Sequence, residues 1–152
     1  MTTAKNKSRE AELYEEVYKN VKMGAESTVD MMAKIADGPL KTELGRELGE
    51  YEKLASEAKS ALVSMGETPK EEGFFTRMSA KAGVMMNTMI DNTPSHIAQM
   101  VIEGCAMGTS GLIKKINDCE RADGESCKQA KALADRVVAF EEDCAEKMKA
   151  YL

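Results

Sequence analysis

Core-type residues recur every three to four positions through most of the chain, and helix punctuation falls between the runs. Four long amphipathic segments, 8–37, 40–66, 94–121 and 125–151, and a shorter one at 73–91 carry this pattern. Asp37-Gly38-Pro39 offers a glycine suited to a left-handed helix end and a proline suited to a first turn. Thr93-Pro94 supplies an N-cap followed by a first-turn proline, and Asp123-Gly124 makes a further short turn. No strand-type alternation runs between hairpin signals, so the expected fold is all-α. The short turns pair the first segment with the second and the 94–121 segment with the last as antiparallel neighbours, whereas 67–93 is longer than a hairpin needs. A helix over 73–91 covers ~28 Å, against ~42 Å for a 28-residue bundle helix, so with its flanking loops it can return the chain to the starting end. The expectation is a four-helix bundle, up and down, a crossover with an extra short helix, then down and up.

At 152 residues the chain is expected to form one domain, 1–152, large enough to bury a core without staples. Lys and Arg number 21 against 26 Asp and Glu, a net 21 − 26 = −5, with no basic block, which argues against nucleic acid as a partner. No apolar run approaches the ~18–20 residues that span a bilayer, and residues 1–10 are polar, so no membrane partner and a cytoplasmic location are expected. The cysteines, 105, 119, 127 and 144, fall in helical segments without a Cys-x-x-Cys pair, the pattern of reduced thiols. Cys119 and Cys127 straddle the last turn at mirror-image depth, close enough for a disulfide or one soft ion, with two packed free thiols as the expected state. A Gly-rich phosphate loop is lacking, and no Ser, His and acid set can be assembled except through His96, so neither phosphoryl transfer nor hydrolysis is indicated.

Placing residues 100° apart shows what each segment turns inward. In the first, Leu13, Val17, Val21, Gly24, Thr28, Met31 and Ile35 share a stripe that leaves Glu26 outside. The second turns in Leu40, Leu44, Leu48, Tyr51, Ala55, Ala58, Leu62 and Met65, with Glu47 near the edge. In the 94–121 segment Ile97, Val101, Gly104, Cys105, Gly108, Leu112, Ile116 and Cys119 face in, and Glu103 does not. The last buries Ala130, Leu133, Ala134, Val137, Cys144, Met148 and Tyr151, with Glu141 inside the stripe. Glu47 and Glu141 thus fall in one layer, with Cys105 opposite Glu141 and Cys144 one turn away. Two readings follow: a metal site in which the thiolates favour zinc, ferrous iron or cuprous copper, or a buried acid pair bonded to Tyr51 or Tyr14, or kept neutral, beside ordinary core cysteines. Helix-interior Gly104, Gly108 and Gly111 each cost about 0.5–1 kcal/mol relative to Ala, which points to close helix packing. Gly45 and Gly49, facing away from the core, and the side strip of Met100 and Met107 suggest a homodimer.

This topology, with Gly66-x-x-Pro69-x-x-x-Gly73 followed by a short helix, resembles the ferritin-like superfamily over about 10–151, in particular a bacterial branch of it. The resemblance implies iron handling or oxidation by dioxygen at a di-iron centre. Such a centre takes one inward Glu from each of two helices and a Glu-x-x-His from each of the other two. Here Glu47-x-x-Glu50, Glu50-x-x-Lys53 and Glu141-x-x-Cys144 stand instead, and His96 is the single histidine. The expected function is therefore a non-catalytic binding or assembly module without a conventional di-iron centre. The alternative is a metal-binding protein, for iron, zinc or copper storage or redox, that uses Glu47, Glu141, Cys105 and Cys144.

Overall fold

A computed structural model describes residues 7–69 and 92–152, and these form four helices and no strand: α1 (Arg9–Met32), α2 (Pro39–Ser64), α3 (Pro94–Asp123) and α4 (Lys128–Met148), with a closing 3-10 turn at Lys149–Tyr151. The short helix expected over 73–91 lies outside the described residues. Local chemistry sets the helix starts. Ser8 caps α1 by accepting from the Ala11 N–H at 3.1 Å, Thr93 caps α3 by accepting from the His96 N–H at 3.3 Å, and Pro39 and Pro94 open α2 and α3.

Helix ends depart from the expected segments, α4 beginning at Lys128 and not 125 and α1 most of all. α1 stops at Met32, not 37, because the Lys34 N–H bonds the Met31 carbonyl and tightens the last turn. Ile35 stays buried beyond the helix end, so its apolar spacing continues without helical geometry. Gly38 has φ 164°, an extended conformation open to any residue; among the described residues the left-handed glycine is Gly66, φ 76°, after α2.

α1 and α2 form one hairpin and α3 and α4 the other, and α1 packs on all three other helices. Cys119, late in α3, lies 3.6 Å from the Arg9 carbonyl oxygen, while the Asn92 amide donates to the Lys34 carbonyl at 3.0 Å. α3 therefore runs antiparallel to α1, and the chain leaves α2 at one end of the bundle and enters α3 at the other. No described helix is long and apolar enough to cross a membrane.

The core has two parts. Leu13, Val17, Leu54, Leu62, Ile116 and Leu133 belong to one apolar cluster, and Met31, Leu40, Leu44, Ile97, Val101 and Met148 to the other. Each fully buried Leu or Ile contributes on the order of 2 kcal/mol. Phe140 packs on both clusters, with its ring 4.9 Å edge-on from that of Tyr51. Around Phe140 the hydrocarbon is interrupted by polar groups.

Candidate functional site

The interruption consists of Glu47 and Tyr51 from α2, Cys105 from α3, and Glu141 and Cys144 from α4, all buried. Glu47 is 1 % exposed and Glu141 3 %. The two candidate acids and two candidate thiols thus share one buried layer. Glu47 lies deeper than ideal helical angles indicate: the face of α2 that packs inward is 40, 44, 47, 51, 54, 58 and 62, and Leu48 is only half-buried. That is the alternating three-and-four spacing of helices in near-parallel packing, which hands the core place to Glu47.

A chain of polar contacts crosses the layer. Cys144 lies beside Glu47, and Cys105 beside Tyr51. The Tyr51 hydroxyl donates to Glu141 Oε2 at 3.4 Å. Asn20 on α1 comes beside Glu141 over Gly108 and donates from Nδ2 to the Gly108 carbonyl at 3.0 Å. One oxygen of each acid, Glu47 Oε1 and Glu141 Oε1, is buried with no hydrogen-bond partner. A buried polar atom without a partner costs on the order of 1–3 kcal/mol, more if charged.

Two glycines make room for the layer. A Cβ at Gly108 would lie 2.7 Å from Glu141 Oε2 and 3.0 Å from Asn20 Nδ2. One at Gly24 would lie 2.9 Å from Tyr51 Cδ1, and nearer still to Cε1 and Cζ. The close approach expected at Gly108 is therefore made by polar side chains seated on the helix. Gly104 and Gly111 instead face open space, which corrects the inward place assigned to Gly104 and the close-packing reading of both. Asn20 is the site residue that stripe analysis missed; it lies at the edge of the Val17, Val21 and Gly24 stripe, one turn before Gly24.

Burial dominates the electrostatics. It raises the Glu47 carboxyl to about 7, with the Cys144 thiol opposing and the Glu43 charge adding. Burial raises Glu141 to about 8 against the pull of Asn20 and Tyr51. Cys105 is pushed up to about 12, first by burial and then by the Glu141 and Glu47 charges. Cys144 and Tyr51 are raised for the same leading reason. The layer therefore favours neutral acids, thiols and phenol.

Among the described residues, no three His, Cys, Asp or Glu side chains stand grouped closely enough to hold a metal ion in this arrangement. The four candidates share a layer without converging on one point. A dinuclear iron centre of the ferritin-like kind does not fit them. The layer has two carboxylates and no imidazole, His96 is half-buried in the first turn of α3, and Glu103 is exposed and accepts from Gln99 at 3.1 Å. Glu26 is half-buried outside both core clusters. Tyr14 does not serve the acids; it lines a groove of about 430 Å³ between α2 and α4 with Ser56, Glu57 and Arg136.

Cys119 and Cys127 correct the expectation of free thiols: they are joined by a disulfide, with Cα atoms 6.2 Å apart. Their mirror-image depth across the 124–127 turn brings the two side chains together, and both are buried. Cys105 and Cys144 are free. Comparison of the chain with family models, with curated proteins and with solved structures finds no match in any of the three.

Proposed function

We propose that the protein is a ferritin-like helical bundle that works by binding rather than catalysis, without a di-iron centre, and that its binding locus is the polar layer around Glu47 and Glu141. A cytoplasmic setting with no nucleic-acid partner belongs to the same reading. The observation that carries it is the pair of carboxyl oxygens, Glu47 Oε1 and Glu141 Oε1, buried without partners in a core otherwise packed with hydrocarbon. Hydrophobic side chains of similar volume in place of buried ionisable groups are often neutral or stabilising, so a layer of this kind is kept at a cost to the fold.

The test is equilibrium unfolding of Glu47→Met at pH 4, below the ordinary glutamate value near 4.3, where the carboxyls are mostly protonated in both the folded and the unfolded chain and pH linkage adds little. A gain of about 1 kcal/mol, or no change, is the expected result. A loss of more than about 2 kcal/mol would mean that the polar layer holds the bundle together, and would remove the reading.

A homodimer is the second reading. Met107 is 77 % exposed on α3, and Gly104 and Gly111, three and four positions away on the same face, leave open backbone beside it. Sedimentation should then show a dimer that Met107→Lys dissociates; a monomer at every concentration would eliminate it.

A further inference from the structure

We propose that the bond between Cys119 and Cys127 is a thiol-exchange switch: an external thiol attacks Cys119 Sγ through a surface pocket beside the start of α1, and Cys127 Sγ leaves at the N-terminus of α4. The inference goes beyond the binding reading and does not depend on the polar layer.

The bridge is approachable from one side. Cys119 lines a pocket of about 310 Å³ between the first turns of α1 and the last turns of α3, whereas Cys127 is fully buried. An entering thiol therefore meets Cys119 and not its partner. The pocket also suits an anion. Its acids, Glu12, Glu15, Glu16 and Asp118, are each ion-paired with a lysine or arginine. Lys115, one turn before Cys119 on α3, is exposed and has no ion-pair partner among the described residues. The attacking species in exchange is the thiolate, which that uncompensated ammonium draws toward Cys119.

The leaving end is prepared as well. Cys127 is the N-cap residue of α4, and no side chain caps the N–H groups of the first turn. Those groups and the positive end of the helix stabilise the charge that develops on the departing sulfur. Both oxidation states fit one place. A disulfide sulfur has no proton to donate, yet Cys119 Sγ stands 3.6 Å from the Arg9 carbonyl oxygen, within reach of an S–H donor. Reduction thus supplies a hydrogen bond to the first residue of α1, and the thiol keeps the seat that the disulfide held.

The reductant is a thiol, and the exchange balances in two steps. The first thiolate bonds to Cys119 Sγ as the bond between Cys119 and Cys127 breaks, and the electron pair leaves on Cys127 Sγ, which takes a proton from water. A second thiolate attacks the outer sulfur of the mixed disulfide and releases Cys119, which is protonated in turn. Two external thiols become one disulfide, and the protein gains two electrons and two protons.

The experiment follows reduction of the full, folded chain by 2-mercaptoethanesulfonate, an anionic thiol, at neutral pH, with acid quenching and mass-spectrometric mapping of the adduct. The rate should rise in proportion to thiol and stay level with urea up to the foot of the unfolding transition. The mixed disulfide should sit on Cys119, and the reduced chain should keep its far-ultraviolet helix signal. Lys115→Gln should slow this thiol by roughly two- to fivefold at low salt, less at high salt, and leave uncharged 2-mercaptoethanol unaffected. With one sulfur removed, Cys119 in Cys127→Ser should react with glutathione disulfide roughly tenfold or more faster than Cys127 in Cys119→Ser. Reduction that occurs only as urea unfolds the chain, an adduct on Cys127, or serine variants that react equally would overturn the proposal. So would a chain that carries no bond between Cys119 and Cys127 after exposure to glutathione disulfide. A Lys115→Gln chain that reacts like the parent at low salt would overturn the part given to that lysine. Because the parent kinetics and adduct map are decisive alone, a serine variant that fails to fold does not shelter the idea.

Discussion

Gly24→Ala is expected to destabilise the bundle by about 2–3 kcal/mol, although alanine is the better helix former by about 1 kcal/mol. Gly24 lies inside α1, where alanine normally stabilises. The Tyr51 ring occupies the space that the new methyl group needs, with Cδ1 2.9 Å away and two further ring atoms closer. The ring cannot simply swing aside. Tyr51 is buried, its edge packs on Phe140 at 4.9 Å between centroids, and its hydroxyl reaches Glu141. Either α1 and α2 separate locally or Tyr51 leaves its rotamer, and both cost more than helix propensity returns. Urea unfolding measures the difference. Gly49→Ala serves as control, because nothing lies within 4 Å of a Cβ there, and it should stabilise by about 0.5–1 kcal/mol. Combining Gly24→Ala with Tyr51→Leu should recover part of the loss, since the smaller side chain vacates the contested space. A Gly24→Ala protein as stable as the parent would remove the proposed role of this glycine.

The four described helices, their order and two of the acids were legible because they follow from periodicity. Glu141 lies inside an apolar stripe, and no rotation of α4 that buries Val137 and Cys144 exposes it. Glu47 was legible only at the margin. An ideal 100° step gives the core place to Leu48, and the choice of Glu47 depends on how α2 packs along its neighbours, a property of the pair and not of either sequence segment. Asn20 and the roles of Gly24 and Gly108 depend on the same information. A glycine in a helix states that something comes close, but whether the visitor is a backbone, a phenol ring or a carboxylate is decided across helices. The Cys119 and Cys127 pair shows a further limit: spacing about the turn placed them together, while their bonding state was set aside on grounds of compartment.

Stability is expected to fall by about 3 kcal/mol between pH 5 and pH 8, a window in which most proteins are near their most stable. The cause is the direction in which Glu47 and Glu141 are perturbed. Folded, they hold their protons up to about 7 and about 8, whereas an unfolded glutamate releases its proton near 4.3. Protonation therefore favours the folded chain. The stabilisation is fully present below the unfolded value and is lost as pH rises through the two folded values. While one folded acid keeps a proton that its unfolded form has released, stability drops by about 1.4 kcal/mol per pH unit. The full sum over both acids is an upper bound, because water admitted to the layer relieves part of the buried charge. Other groups act outside the window. Glu43 and Glu57 are lowered by their Arg46 and Arg136 partners, so their contribution changes at more acid pH. Cys105 and Cys144 are raised, and the unfolded thiol near 8.5 places their influence above it. Denaturant unfolding across pH 5 to 8 should show the decline, and Glu47→Gln with Glu141→Gln should flatten it while removing most of the difference between the ends. A profile in the parent chain that is level or rising over this range would mean that the carboxyls are ionised at neutral pH, and would overturn the account of a buried, neutral acid pair.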